Sequence, residues 1–339
     1  HRGEYHSYAY SYPHKTAYRP LPHPVPLRDL WSTEDRRALF LYVHVPFCEQ
    51  RCGFCNLFTQ VTPKADIVSR YLDALADQTD IMREVLHPCH FAQRAIGGGT
   101  PTFLTLDQLA RLFAIVRTLS PQLVPTSIET SPSTIDANKA ALLREERISR
   151  VSMGVQSIFS NETSGVQRRQ VLADVDRALA LLSDAVPVRN IDLIYGLPGQ
   201  TAQTLRASID HVVAGGANEL YLYPLYVRPL TILSRHKAHQ DARVRLYRSA
   251  REYLLGQGFR QVSMRMFSRL APTDPQDTVA RYRCQDDGMV GIGPGARSYT
   301  RTLHYATPFA VGQAGIRSRI EAWLSETALQ RAQARHGYL

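Results

Sequence analysis

The sequence predicts an α/β fold, a partial (β/α)6 TIM-like barrel with an N-terminal arm and a small C-terminal extension. Three observations carry this: six short runs rich in Val, Ile, Leu and Tyr, a helical apolar period after each of them, and Gly, Pro, Ser and Thr at the junctions. The 339 residues, 44% apolar and 21% charged, suffice for one large core or two ordinary ones.

Residues 1–37 read as an extended arm, because Pro13, Pro20, Pro22, Pro24 and Pro26 interrupt any regular helix. Within "SYPHKTAYR", His14, Lys15, Tyr18 and Arg19 either reach a substrate or dock the arm by packing. Residues 38–260 carry the barrel. Its strands are expected in "LFLYVHV", the run ending "AIGGG", "SIETS", "RVSMGVQS", "IDLIYGLP" and "ELYLYPLYV". Its helices are expected in "IVSRYLDALADQTDIMREVL", "LDQLARLFAIVRTL", "TIDANKAALLREERI", "QVLADVDRALALLSDA", "TAQTLRASIDHVV" and "DARVRLYRSAREYLL". Strand-then-helix units in series imply parallel strands joined by right-handed crossovers. Six units are fewer than the usual eight, so the barrel stays open and its site lies at the strand C-terminal ends. In residues 261–339 the alternation fades, leaving an extension expected to cover the active site, with one closing helix near "GIRSRIEAWLSETALQRA".

Composition narrows the function. No run reaches the eighteen apolar residues of a membrane span, and the first residues lack the apolar core of a signal peptide, so a cytoplasmic protein is expected. Lys plus Arg outnumber Asp plus Glu by 40 to 30, which favours an anionic small molecule or serves solubility alone. No aromatic-plus-basic nucleic-acid motif is visible. Three of the five cysteines, Cys48, Cys52 and Cys55, are crowded directly after the first strand, an arrangement of reduced, metal-holding thiols rather than a disulfide framework. Three thiolates so spaced hold three irons of a 4Fe–4S cluster and leave the fourth open. The competing reading is zinc, which needs a fourth ligand; His44 is too close along the strand, and His90 beside Cys89 keeps that reading open.

"YVHVPFCEQRCGFC" resembles the signature of radical S-adenosylmethionine enzymes, specifically the branch of oxygen-independent coproporphyrinogen III oxidase and its relatives. The resemblance implies that the amino and carboxylate groups of S-adenosylmethionine chelate the open iron, and that the sulfonium is cleaved to a 5′-deoxyadenosyl radical. Further pieces follow in the family's order. "GGGTPTFL" carries Gly97, Gly98, Gly99 and Thr100, whose backbone, with its exposed amides, would hold the methionyl amino group; alone, such a run equally marks a turn. Glu129 of "SIETSP", Gln156 of "SMGVQS", Arg168, and Asp192 with Ile194 in "DLIYGLPGQT" would contact S-adenosylmethionine, Asp192 through ribose hydroxyls. Tyr42 and His44 resemble the strand residues beside the cluster, and Phe54 the adenine-side aromatic. Taken singly, Asp192 serves as well for a helix cap, Gln156 for barrel backbone and His44 for a core histidine.

The branch includes decarboxylases, haem-binding chaperones and methylases that use two molecules of S-adenosylmethionine. "DTVARYRCQDDGMVGIG" lacks the His-Asn…Tyr-Trp pattern of the chaperones, and the chain stops about one helix after "GIGPGARS", without the longer C-terminal domain of the decarboxylase. The resemblance therefore points first to a methylase, in which a methyl or methylene group passes from a second S-adenosylmethionine to an sp2 carbon of a small molecule, by methylation or cyclopropanation; the alternatives are oxidative decarboxylation of the coproporphyrinogen-oxidase type and a non-enzymatic haem carrier. The implied partners are an electron donor such as flavodoxin or ferredoxin and possibly a partner methyltransferase. Candidate catalytic residues are Tyr42, Arg297 and Cys284. Arg297 pairs with a carboxylate of cofactor or substrate or ties the tail to the barrel, and Cys284 is the spare thiol available as a hydrogen donor. Tyr223, Tyr226 and Arg228 contact substrate or second cofactor, or pack at the barrel rim.

Overall fold

A computed structural model describes residues 14–61, 63–227, 233, 242–270 and 287–338. The fold is α/β, with parallel strands alternating with helices. The expected units are present in order: β1 (Leu39–Val45) and α1 (Ala65–Leu86), β2 (Phe91–Gly98) and α2 (Leu106–Leu119), β3 (Thr126–Thr130) and α3 (Ala137–Glu145), β4 (Arg150–Gln156) and α4 (Leu172–Ser183), β5 (Val188–Tyr195) and α5 (Ala202–Ala214), and β6 (Glu219–Pro224) and α6 (Arg243–Gly256). Then come β7 (Met289–Ile292), β8 (Arg297–Tyr299), β9 (His304–Ala306), α7 (Gln313–Leu324), α8 (Ala328–Arg331) and β10 (Gln333–Tyr338).

The helices begin where side chains satisfy the free amides of the first turn. Thr105 and Gln108 form a reciprocal capping box on α2, Thr201 and Thr204 do so on α5, and Asp136 accepts from the Lys139 amide on α3. Strand burial alternates as a sheet covered by helices requires. On β1, Leu39, Leu41 and Val43 are wholly buried, while Phe40, Tyr42 and His44 take the opposite face.

Two compact units divide the chain. Residues 1–47, 57–126 and 278–339 contribute the first, where β2, β1 and β7 pair in parallel and β8, β9 and β10 continue the sheet antiparallel. Residues 48–56 and 127–277 contribute the second, where β3, β4, β5 and β6 pair in parallel and a short strand, Met266–Ser268, runs antiparallel on β6.

Three features differ from expectation. The arm holds a helix after all, Leu27–Ser32, which starts directly after the last proline, and its Arg19–Pro26 stretch is a strand paired with β10. The tail, where the alternation of strand and helix was expected to fade, extends the first unit's sheet, since β7 lies parallel to β1 with Gly291 opposite Tyr42. Its signal was weak because "DGMVGIG" offers only Met289, Val290 and Ile292 between glycines, yet pairing satisfies an edge of β1 that would otherwise present free amides. The single closing helix is two, because Thr327 and Gln330 build a fresh capping box and start α8. Among the described residues no helix is long and apolar enough to cross a membrane.

Tyr71 of α1 ties this unit to the end of β1. Its fully buried hydroxyl donates to the His44 carbonyl at 2.8 Å, and its ring meets Phe47 edge-on at 5.2 Å and Trp323 at 5.8 Å. Tyr71→Phe keeps the ring and leaves that carbonyl without its donor. A loss of about 1–2 kcal/mol is expected, read from the urea midpoint at unchanged slope.

Candidate functional site

The cysteine loop has almost no regular structure, so contacts to the rest of the second unit position it. Cys55 donates its amide to the Cys52 carbonyl at 3.0 Å, closing a tight turn around Gly53. The Gly53 amide donates to the Val166 carbonyl at 2.8 Å, and a side chain at 53 would press on that oxygen and on Leu233. Gln50 forms two 2.8 Å hydrogen bonds with the Arg169 backbone, as donor to its carbonyl and acceptor from its amide. Glu49 accepts from the hydroxyls of Ser131, at 2.9 Å, and Ser133. Sequence reading missed Glu49 and Gln50, which are legible only as ordinary polar residues between cysteines.

Arg168 is the central tether. Its buried guanidinium donates to the Cys52 sulfur at 3.4 Å and to the Gly154 carbonyl, and its Nε donates to Gln170 at 3.1 Å. A cation donating to a sulfur favours the thiolate, the form that ligates iron. None of Cys48, Cys52 and Cys55 is in a disulfide; Cys52 is buried and the other two are half-buried. An all-sulfur donor set suits an iron–sulfur cluster. Among the described residues no three His, Cys, Asp or Glu side chains converge as ligands of a single ion would. Gln156 and Gln167 both adopt a left-handed backbone, φ 69° and 55°, on either side of the segment that carries Val166.

Phe54 and Ile194, each named as a cofactor contact by resemblance, lie in one apolar group. Phe54 and Tyr223 pack against a buried apolar group of Val166, Ile194, Leu197 and Leu233. The turn after β5 is held by Gln200, whose side chain accepts from the Gly196 amide at 2.7 Å and donates to the Ile194 carbonyl at 2.9 Å.

The inward faces of β3 to β6 carry a polar network that the sequence revealed only in part. Asp192 accepts from Asn190 at 2.7 Å and from the Ser152 hydroxyl at 3.3 Å. Burial pushes its carboxyl up to about 6, against the opposing pull of Asn190, Arg150, Ser152 and Arg168. Arg150 donates to Glu219 at 2.8 Å and to Ser127 at 3.2 Å, and its guanidinium lies 5.7 Å from the Tyr221 ring. Tyr221 stacks on Tyr223 at 5.8 Å, and the Arg265 guanidinium lies 5.6 Å from the Tyr223 ring. Glu129 is exposed on β3, in register with Ser152. Arg150, Ser152, Asn190, Glu219, Tyr221 and Arg265 escaped the sequence reading, although the i, i+2 spacing of polar residues on β4, β5 and β6 marks the first five.

In the first unit, His44 sits in a closed setting. Its Nε2 is 2.9 Å from the Phe58 carbonyl, an acceptor only, so Nε2 carries the proton and Nδ1 faces the Tyr42 hydroxyl at 3.3 Å. Burial pushes His44 down to about 4, so it is neutral at physiological pH. The glycine run departs from expectation. The Gly99 amide donates to the Val45 carbonyl at 2.8 Å and the Thr100 amide to Phe47 at 2.7 Å, so these amides are not open to a ligand. Gly98, at φ 102°, leaves room for the His44 ring, onto which any side chain would fall. Carbonyls remain the run's offer to an amino group, which needs acceptors. Gly97 pairs with His44 in the β1–β2 register. Arg297 lies 5.2 Å from the ring of Tyr18. Tyr226 is half-buried, while Arg228 and Cys284 lie outside the described residues.

A family model for the radical SAM superfamily matches residues 42–212, half of the chain and all of its cofactor-like motifs from Tyr42 to Ile194. The chain belongs to this superfamily. Membership implies a 4Fe–4S cluster, S-adenosylmethionine, a small-molecule substrate and an electron donor. The chain is 28% identical to the oxygen-independent coproporphyrinogen III oxidase of Paracoccus denitrificans, over 85% of this chain and 69% of that protein. It is 27% identical to the heme chaperone HemW of Bacillus subtilis, over 78% of this chain and 72% of that one. The solved coproporphyrinogen III oxidase (HemN) from Escherichia coli superposes with a TM-score of 0.75 at 25% identity, over 92% of this chain and 74% of that chain. By sequence the chain spans 54% of the Escherichia coli oxidase. The branch is thus that of HemN-like oxidases and HemW.

These relatives overturn the expectation of a methyl- or methylene-transferring enzyme with a partner methyltransferase, since they are named oxidases and heme chaperones. That expectation rested on features missing from the tail, whereas the motifs that are present serve every member of the branch.

Replacing Cys48, Cys52 or Cys55 by Ala is expected to abolish iron–thiolate charge-transfer absorbance after anaerobic reconstitution. Full iron and sulfide in all three variants would remove the loop from cluster binding.

Proposed function

We propose that this chain is a radical S-adenosylmethionine enzyme of the coproporphyrinogen III oxidase type, which oxidatively decarboxylates a carboxylated tetrapyrrole. The observation that carries the reading is the three-thiol loop held by Arg168 in a chain whose similarity to the Paracoccus oxidase extends over 85% of its length. When bound, the cluster and S-adenosylmethionine supply hydrogen-atom abstraction.

The chain's residues serve that chemistry as follows. Cys48, Cys52 and Cys55 hold the cluster, and Arg168 stabilises the Cys52 thiolate. Carbonyls of Gly97 to Gly99 accept from the methionyl amino group, Phe54 and Ile194 cover the adenine side, and Asp192 accepts from ribose hydroxyls. Gln156 and Glu129 bind polar groups of the same cofactor, and Tyr42 orients the neutral His44 at the end of β1. Arg297 supplies positive charge for a carboxylate of cofactor or substrate. A flavodoxin- or ferredoxin-type donor provides the electron.

A second reading, a haem carrier, is supported by the similarity to the Bacillus HemW, 27% identical over 78% of this chain. One anaerobic experiment separates the two. The reconstituted, dithionite-reduced protein receives S-adenosylmethionine and coproporphyrinogen III, and products are analysed by mass spectrometry. 5′-Deoxyadenosine with a substrate lighter by carbon dioxide and two hydrogens, one taken by the deoxyadenosyl radical and the other leaving as a proton and as an electron passed to an added one-electron acceptor, supports the oxidase. A Soret shift on adding haem, with no deoxyadenosine, supports the carrier.

Asp192 also gives the site a pH dependence. A carboxyl pushed up to about 6 is ionised above that value and protonated below it, and only the ionised form offers both oxygens as acceptors. Affinity for S-adenosylmethionine is expected to fall as the pH drops from 7.5 through 6 to 5, measured calorimetrically. Asp192→Asn is expected to bind more weakly at pH 7.5 and to flatten the profile while keeping the cluster.

A further inference from the structure

Because β4, β5 and β6 run parallel and in register, their inward residues lie in layers. Ser152, Asn190 and Glu219 form one layer. Gly154, Asp192 and Tyr221 form the next, one step closer to the strand C-terminal ends, where a barrel of this kind keeps its site. In its own layer Asp192 therefore has a residue without a side chain on one flank. On the other flank is a phenol whose hydroxyl donates to the Met266 sulfur at 3.4 Å.

The donors that reach the carboxylate come from the layer beneath. The Asn190 side chain, in a residue only 1% exposed, donates to Asp192 Oδ1 at 2.7 Å and to the Ser152 hydroxyl oxygen at 2.8 Å. Ser152 in turn lies 3.4 Å from Oδ1 and 3.3 Å from Oδ2. One amide nitrogen thus spends its two protons on the carboxylate and on the hydroxyl beside it, which leaves the Ser152 proton for Asp192. Asn190 itself lies on the side of Asp192 away from the strand ends, so a ligand arriving there meets the carboxylate and not the amide.

We infer that Asn190 is a positioning residue for S-adenosylmethionine: from beneath, its amide fixes one Asp192 oxygen and orients Ser152, so that an ionised carboxylate keeps its remaining lone pairs for the ribose hydroxyls. The inference rests on the reading above that Asp192 contacts the ribose. It adds that this acceptor is set by a neighbour that does not touch the cofactor.

The charge around Asp192 agrees with this role. Burial pushes the carboxyl up to about 6, and among the groups that oppose it Asn190 acts more strongly than Arg150, Ser152 or Arg168. The other titratable groups that face it are Tyr221 and Tyr223 of β6, with Glu219 in the layer beneath and Glu129 across on β3. Arg265 acts on the two tyrosines. Burial raises both phenols, so they stay neutral between pH 6 and 8 while the arginines stay charged.

The test uses the full chain with reconstituted cluster and anaerobic calorimetry of S-adenosylmethionine at pH 8 and pH 6. Asn190→Leu keeps the side-chain volume and removes both donors, and Asn190→Ala removes the side chain, with cluster absorbance as the control for folding. Without the amide, the acid limb of the affinity is expected to move up by about one pH unit. The ratio of variant to parent Kd then rises about fivefold from pH 8 to pH 6, and the cofactor's own titration cancels in that ratio. A ratio equal at the two pH values overturns the inference, whether it is near one or well above it, because lost packing weakens binding without regard to pH. Ser152→Ala keeps the bond from Asn190 to Asp192 and is expected to raise the ratio less; an equal or larger rise also overturns it. Asp192→Asn separates the inference from the reading on which it rests. If Asp192→Asn binds as tightly as the parent, the carboxylate does not meet the ribose and both fall. If it binds more weakly while the Asn190 variants give flat ratios, the inference alone falls.

Discussion

The contact between the Arg168 guanidinium and the Cys52 sulfur is the one on which the candidate site depends. A loop of nine residues between β1 and the rest of the first unit has no ladder of its own, so it keeps a conformation only where other segments hold it. Arg168 does this while bonding the Gly154 carbonyl of β4, so the sulfur is referred directly to a strand. Gln50 and Gly53 repeat the arrangement with backbone bonds to Arg169 and Val166. The segment that holds the loop is residues 166–169, a turn in which Gln167 takes a left-handed backbone. The strain of that turn, of order 1–3 kcal/mol, is offset by the bonds it makes possible.

Charge inside the second unit follows the same economy of pairing. Arg150 and Glu219 are largely removed from water, and such a pair is maintained by geometry and further hydrogen bonds, here from Arg150 to Ser127. Asp192 has no comparable cation in contact. It is stabilised by neutral donors, Asn190 and Ser152, which leaves burial as the dominant influence on its titration. Its oxygens are thus already engaged on one side and still ionise near neutrality, which suits a carboxylate that gains and loses a hydroxylated ligand.

The first unit answers a different need. His44 is neutral and enclosed by Gly98, Gly295 and Phe58, so it acts through shape and a single directed proton. Beyond β1 the sheet continues through β7 to β10 and the arm, with a core face and a face of aromatic, histidine and arginine side chains.

The sequence by itself determined the six strand–helix units and the three-cysteine loop after the first strand. These are local patterns: periods of two and 3.6 residues, and thiols only three and four positions apart, each visible without knowing what lies opposite. The fold class and the order of motifs were legible for that reason. Tertiary structure alone decided the rest. Arg168 meets Cys52 across 116 residues and Arg150 meets Glu219 across 69, distances at which no spacing rule operates. The glycine run read as exposed amides, but its amides are spent on Val45 and Phe47 because β2 turns back over the end of β1. The tail looked irregular because β7 to β10 have short, glycine-interrupted strands whose pairing with β1 and the arm comes from opposite ends of the chain. Contacts that depend on which segments become neighbours exist only once the chain has folded.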